Sequence, residues 1–270
     1  MACLFTTSDL KRFAALLCFA LAISGCNSDS QSFAPASTSP QLKTHRFDEL
    51  GMPAIRCQDA KHCPENVGQL VSITLRAPER CTFTLVKPNV ILTASHCVPW
   101  TNVKRDRTIA GNCWARFPQR STDQEPPRAI ACKSVLEASR LSWNRVDELQ
   151  TDYAYIELAE DVDRPLAKVS EKAIGSDHLF VFGVHPLEKD EDLVVKMDCK
   201  QDLSYSLLTR RETSEDAILM PGCPIRVGNS GGPIYDTSTS EIVGVVSFID
   251  TAPGKPQAGV GTRVPPPPPL

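Results

Sequence analysis

From about residue 50 to residue 264 the chain alternates short apolar runs with turn-forming residues. Residues 69–75 (Gln-Leu-Val-Ser-Ile-Thr-Leu), 81–86 (Cys-Thr-Phe-Thr-Leu-Val), 90–93 (Val-Ile-Leu-Thr) and 242–248 (Ile-Val-Gly-Val-Val-Ser-Phe) are representative. These runs are short, closely spaced and rich in β-branched side chains. That pattern predicts strands, and many strands at short spacing predict an all-β sandwich or barrel. Residues 134–142 have a composition that suits a helical turn, and no long amphipathic helix stands out. There is no internal repeat at a solenoid or propeller period.

The two ends depart from this pattern. Lys11 and Arg12 precede an apolar run over residues 13–23. That run falls short of the ~20 residues needed to span a bilayer and suits the core of a secretory signal. It ends in Ile23-Ser24-Gly25-Cys26, which resembles the lipobox of bacterial lipoproteins. The resemblance implies cleavage before Cys26 and lipid on its sulfur. Two or more acyl chains, at about 0.8 kcal/mol per buried CH₂, hold a soluble domain at a membrane surface. Asn27 follows the cysteine, which favours the outer over the inner membrane. The expected organisation is therefore a signal peptide over 1–25, a flexible tether over 26–45 and a folded domain over 46–264. A proline-rich tail over 265–270, disordered or in the polyproline conformation, completes it.

Composition supports an exported globular domain. The chain of 270 residues is 41% hydrophobic and 23% charged, as ordinary folded chains are. Its net charge of -3 argues against a nucleic-acid partner. Of the 11 cysteines, removal of Cys3 and Cys18 and lipidation of Cys26 would leave Cys57, Cys63, Cys81, Cys97, Cys113, Cys132, Cys199 and Cys223. An even number suits an oxidising compartment. Spacing leaves their connectivity open, and no Cys-x-x-Cys pair points to a metal.

Three segments carry reactive side chains in a suggestive order. They are Leu92-Thr93-Ala94-Ser95-His96-Cys97, Thr151-Asp152-Tyr153-Ala154-Tyr155 and Gly228-Asn229-Ser230-Gly231-Gly232-Pro233. A serine hydroxyl is a poor nucleophile until a base takes its proton, and imidazole is matched to that task near neutral pH. A buried carboxylate holds the imidazole in one tautomer. A glycine-rich turn can aim two backbone N–H groups at one point.

At these residues the chain resembles the trypsin/chymotrypsin-like serine proteases, and among them the bacterial, glutamyl-endopeptidase-like branch. The order His, Asp, Ser is that of this superfamily. The resemblance implies two antiparallel six-stranded β-barrels with the active site at their junction. It makes Ser230 the nucleophile, His96 the general base and acid, and Asp152 the orienting carboxylate. The amides of Gly228 and Ser230 would form the oxyanion hole. Pro224, Ser247, Phe248 and Gly259 would line the substrate pocket. It also pairs Cys81 with Cys97 and Cys199 with Cys223, which leaves Cys57–Cys63 and Cys113–Cys132 as local pairs.

The chain departs from the family pattern in places. Asn229 stands where pancreatic-type enzymes have an aspartate that pairs with a new amino terminus, and no matching activation sequence lies upstream. Pro224, six positions before Ser230, replaces the aspartate of trypsin-like specificity. Val246 replaces the histidine of the glutamyl-specific enzymes. The reading is a monomeric, lipid-anchored, extracytoplasmic serine endopeptidase of the bacterial cell envelope. It would act on protein or peptide substrates with non-trypsin specificity, and with no cofactor or metal. The alternative is a catalytically silent binding or scaffold lipoprotein that keeps the protease fold.

Overall fold

The structure is a computed structural model. It describes residues 54–56, 64–73, 78–100, 107–118, 129–139, 152–186, 192–204, 216–251 and 257–269, all within the compact unit His45–Leu270. Cys26, Cys57, Cys63, His45 and His62 lie outside the described residues. The described residues hold thirteen strands and no α-helix.

In chain order the strands are β1 (Ala54–Arg56), β2 (Val67–Ile73), β3 (Pro78–Lys87), β4 (Val90–Thr93), β5 (Cys113–Arg116), β6 (Ile130–Ala138) and β7 (Ala154–Leu158). They continue as β8 (His178–Pro186), β9 (Asp192–Lys200), β10 (Ala217–Pro221), β11 (Pro233–Asp236), β12 (Ile242–Asp250) and β13 (Ala258–Arg263). Strands β2–β7 close a six-stranded antiparallel barrel in the order β2-β3-β4-β7-β6-β5. Its interior holds Leu70, Phe83, Leu85, Ile91, Ala115, Val135 and Ile156. Val86, Val90, Leu92 and Tyr155 point outward instead and pack with Ile242, Val245 and Val264 of the second body. Both faces of β3 and β4 are therefore covered, which is why these strands read as unbroken apolar runs rather than strict alternations.

The remaining strands form one antiparallel sheet in the order β1-β9-β8-β11-β12-β13-β10. Six of them, β8–β13, make the second, curled barrel-like half, which is not closed strand to strand as the first is. The sheet curls until β10 returns to β9: the Asp202 amide donates to the Leu219 carbonyl at 3.0 Å. The Cys199–Cys223 disulfide, with Cα atoms 5.1 Å apart, ties the same seam. Strand β1 adds a seventh member on the edge of β9, pairing Ala54 with Met197. The all-β, two-barrel architecture is thus present, with one extra edge strand.

One local expectation is corrected. Residues 134–138 are not a helical turn but part of β6, because Cys132 is bridged to Cys113 and the strand pairs along β7 from Cys132 to Ala138. Residues 265–269, the proline-rich tail, are held at two points. The Tyr155 hydroxyl donates to the Pro265 carbonyl, and the Lys87 ammonium donates to the Pro268 carbonyl. The proline run lies against the first barrel and covers the surface where Val264 packs on Tyr155.

Candidate active site

The site is built where the two barrels meet. After β4 the chain makes one 3₁₀ turn over Ser95–Cys97, held by the Val98 amide on the Ser95 carbonyl at 3.1 Å. The Trp100 indole N–H donates to the same carbonyl at 2.8 Å. The Cys81–Cys97 disulfide fixes the end of this turn to β3. His96 is thereby presented toward the junction, with its side chain 20% exposed.

Asp152 precedes β7 and is 3% exposed. Its own amide donates to Thr262 Oγ1 of β13 at 3.0 Å, which docks it against the second barrel. Oδ1 accepts the His96 backbone N–H at 2.9 Å, and Oδ2 accepts from His96 Nδ1 at 2.6 Å and from the Ser247 hydroxyl at 2.6 Å. An ionised carboxylate has no proton to give, so Nδ1 carries the hydrogen and Nε2 keeps its lone pair. Burial alone would push the Asp152 pKa up. The His96 charge and the hydrogen bonds from His96 and Ser247 outweigh it and hold the carboxyl below its ordinary value. Burial likewise disfavours the imidazolium of His96, but Asp152 beside it, with a smaller effect from Glu79, raises its pKa above the ordinary value.

Ser230 sits on the loop between β10 and β11. Its Oγ lies 3.4 Å from the Ser247 carbonyl oxygen, so Ser247 touches Ser230 with its backbone and Asp152 with its side chain. Gly228 has φ 96° and Gly231 has φ 80°, backbone conformations that side chains resist. At Gly231 a β-carbon would also meet Thr93 Oγ1 at 2.2 Å and the Thr82 carbonyl at 2.3 Å. The turn can therefore press against the first barrel only because these positions are glycine. Neither the Gly228 nor the Ser230 amide donates a hydrogen bond among the described residues.

Thr82, which no sequence motif singles out, is fully buried. Its amide donates to the Ser230 carbonyl at 2.8 Å, its hydroxyl donates to the Gly228 carbonyl at 2.8 Å, and the same hydroxyl accepts the Val184 amide at 2.9 Å. One β3 residue therefore holds both ends of the Gly228–Ser230 turn. Asn229 is also fully buried; its Oδ1 accepts the Arg226 amide at 2.8 Å and its Nδ2 donates to the Val184 carbonyl at 3.3 Å.

The expected pocket residues separate into two groups. The Ser247 carbonyl lies beside Ser230 Oγ, Gly259 lies against Ile225, and Pro224 and Ser247 are buried. Phe248 does not turn into that space: its ring packs with Leu219 and Val260 on the other face of the sheet. Ile249 takes the inward position instead. Cys81, His96 and Cys97 bring potential metal ligands within 4.8 Å of one another, but the two sulfurs are bonded as a disulfide and neither is a thiolate. His178 opens β8 beside Asp177, far in sequence from these residues and well exposed.

The family model described as Trypsin matches residues 60–266. The chain belongs to the trypsin family. Solved structures agree with this at the level of fold. This trypsin-family chain is similar to a Glu endopeptidase, with a TM-score of 0.53 and 16% identity over 78% of this chain and 91% of that one. It is also similar to the thermostable serine protease AL20 from an extremophilic microorganism, with a TM-score of 0.51 and 14% identity over 74% and 91% of the two chains. Among curated proteins no match is found. The trypsin-family match supports a serine peptidase hydrolase that acts on protein or peptide substrates.

Proposed function

We propose that the protein is a serine endopeptidase in which His96, Asp152 and Ser230 form the catalytic triad. The observation that carries this reading is the set of bonds on Asp152: both carboxylate oxygens are occupied by His96, and Ser247 links the same carboxylate to the neighbourhood of Ser230 Oγ.

In this mechanism Ser230 Oγ attacks the scissile carbonyl carbon while His96 Nε2 takes the hydroxyl proton. The carbonyl oxygen gains negative charge and faces the amides of Gly228 and Ser230. Each such donor contributes on the order of 3 kcal/mol to the transition state. His96 returns the proton to the departing amine, and an acyl-enzyme on Ser230 remains. Water, deprotonated by His96, then attacks the acyl carbon and releases the acid and the free serine. Asp152 stays ionised and stabilises the imidazolium in both halves.

Specificity other than trypsin's is part of the proposal, supported by Pro224 at the pocket position that trypsin-like enzymes fill with a carboxylate. We further propose export and lipid anchoring through Cys26, on the strength of the Ile23-Ser24-Gly25-Cys26 pattern alone. Incorporation of labelled fatty acid that is lost in Cys26→Ala tests the anchor.

The test of the activity is covalent labelling with a fluorophosphonate probe, read by intact mass, beside Ser230→Ala. Stoichiometric labelling of the native chain and none of the variant is expected. Loss of a triad serine or histidine lowers kcat by on the order of a million-fold in related systems. A folded protein that does not label would sink the endopeptidase reading in favour of a silent scaffold.

A further inference from the structure

The space beside Ser230 that would receive a substrate side chain is already partly filled by the protein. A substrate carbonyl whose carbon faces Ser230 Oγ, and whose oxygen faces the Gly228 and Ser230 amides, carries its own side chain between two walls. On one side lies the turn that leads from Ile225, which rests against Gly259, to Gly228; on the other lies β12, whose Ser247 carbonyl is 3.4 Å from Ser230 Oγ. The strand behind them is β13, with Gly259 in register with Ile249 on one side and Met220 on the other.

Ile225 belongs to the first wall, is 1% exposed and packs in one cluster with Met220 and Val246. Its Cδ1 would lie 2.3 Å from a β-carbon at Gly259, and its Cγ1 3.1 Å. The Ile225 side chain therefore reaches across the space and rests on the bare backbone of β13. Ile249 closes from the opposite wall and packs on the same cluster. It faces inward because β12 is irregular between Val246 and Phe248, which turns Phe248 away. The side chains that meet here, Ile225, Met220 and Ile249, are all apolar. A charged group pushed among them would lose water without gaining a partner.

We infer that this pocket takes a small uncharged side chain, that of glycine, alanine or serine, at the residue supplying the scissile carbonyl, and that Ile225 sets this limit. The inference rests on the endopeptidase reading. A larger side chain must displace a buried isoleucine that is already in contact with the opposite strand, and close-packed interiors resist that. Each methylene too many or too few changes discrimination by about 10–200-fold in hydrophobic pockets.

The experiment uses the full chain and a series of peptide thioesters that differ only in the residue giving the scissile carbonyl: Gly, Ala, Ser, Leu, Phe, Glu and Lys. Alongside it runs labelling by a fluorophosphonate that bears no pocket-filling group. The expected result is labelling, with kcat/KM for Ala or Ser on the order of 100-fold above Phe, Glu and Lys. In Ile225→Gly, Leu and Phe esters gain at least about tenfold relative to Ala. Ile225→Val, a milder change, shifts the ratio the same way by less. Labelling together with a preference for Phe, Lys or Glu overturns the pocket assignment alone, as does labelling with no turnover of the Gly, Ala and Ser esters. An unchanged ratio in both Ile225 variants, each still labelled, overturns the role of Ile225. Absence of labelling in the native chain overturns the endopeptidase reading and the inference with it.

Discussion

The hydroxyl of Thr82 in the first barrel donates to the carbonyl of Gly228 in the second, at 2.8 Å, inside a fully buried contact. The same oxygen accepts the Val184 amide at 2.9 Å. An oxyanion hole works only if its donors are held in place before the charge develops. In the mechanism proposed above, the fully buried Thr82 holds the turn that carries those donors and acts as a positioning residue. Thr82→Val keeps the shape but strands a buried carbonyl and a buried amide, at a cost of about 1–3 kcal/mol in stability. We expect kcat to fall roughly 10–100-fold with KM little changed, because the defect concerns an interaction made in the transition state. Thr82→Ser should restore most of the loss. A parallel rise in KM with kcat intact would contradict the positioning role.

The pH dependence follows from the His96–Asp152 pair. Catalysis requires neutral Nε2, and Asp152 raises the His96 pKa above its ordinary 6.5. The acidic limb of kcat/KM should therefore lie above 6.5. Stability has the opposite sign for this group. A raised folded-state pKa favours the protonated form, so its contribution is full below 6.5 and is lost as pH rises through the raised value. Asp152 contributes above 3.8 and loses its contribution as pH falls through its lowered pKa. Asp152→Asn should cut kcat by about 10⁴-fold and move the acidic limb back down. A native limb at or below 6.5 would show that Asp152 does not govern the base.

Asn229 replaces an ion pair with two amide hydrogen bonds. Its Nδ2 needs the Val184 carbonyl as acceptor, and its Oδ1 needs the Arg226 amide as donor. An aspartate here can satisfy the second but not the first, and its charge would sit fully buried against a carbonyl oxygen. Asn229→Asp should therefore destabilise the protein by roughly 2–4 kcal/mol and slow fluorophosphonate labelling. On the proposed reading the two bonds of the Asn229 amide hold the turn without a terminal ammonium. Chains starting at Asn27 and at Arg46 should label at the same rate, and faster labelling of the shorter one would reveal an activation step.

What could be read from the sequence and what could not divide by the range of the interaction. The runs at 81–86 and 90–93 were legible as strands because β-branched and apolar residues dominate them. The candidate triad was legible because each member sits in a local motif beside such a run. Thr82 was not, since its partner Gly228 lies 146 positions away and nothing in Cys-Thr-Phe distinguishes a tether from a core threonine. Residues 134–138 have helix-tolerant side chains, and pairing with β7 overrides that preference. Phe248 was placed on the pocket wall by resemblance to the family. The irregularity between Val246 and Phe248 shifts the alternation by one, so Ile249 faces inward instead.

The proline run supplies a final test, because it terminates a buried polar path. Tyr155 is fully buried and its hydroxyl donates to the Pro265 carbonyl. Burial pushes its pKa well above the ordinary 10, so it stays a donor at all working pH values. Removing residues 265–270 would leave that hydroxyl without its acceptor and expose Val264 and the ring it covers. An orphaned buried hydroxyl costs about 1–3 kcal/mol, which corresponds to roughly 2–12 °C in Tm for a domain of this size. Tyr155→Phe in the full chain removes the donor and leaves the Pro265 carbonyl without it, so its cost should be about 1 kcal/mol. In the shortened chain the same substitution should cost nothing or stabilise, since no acceptor is left to lose. The two changes would then be non-additive, as contacting groups are. Additive effects would mean that the run does not rest on Tyr155. Fluorophosphonate labelling below the melting range should be the same in all four proteins, because neither change touches His96, Asp152 or Ser230.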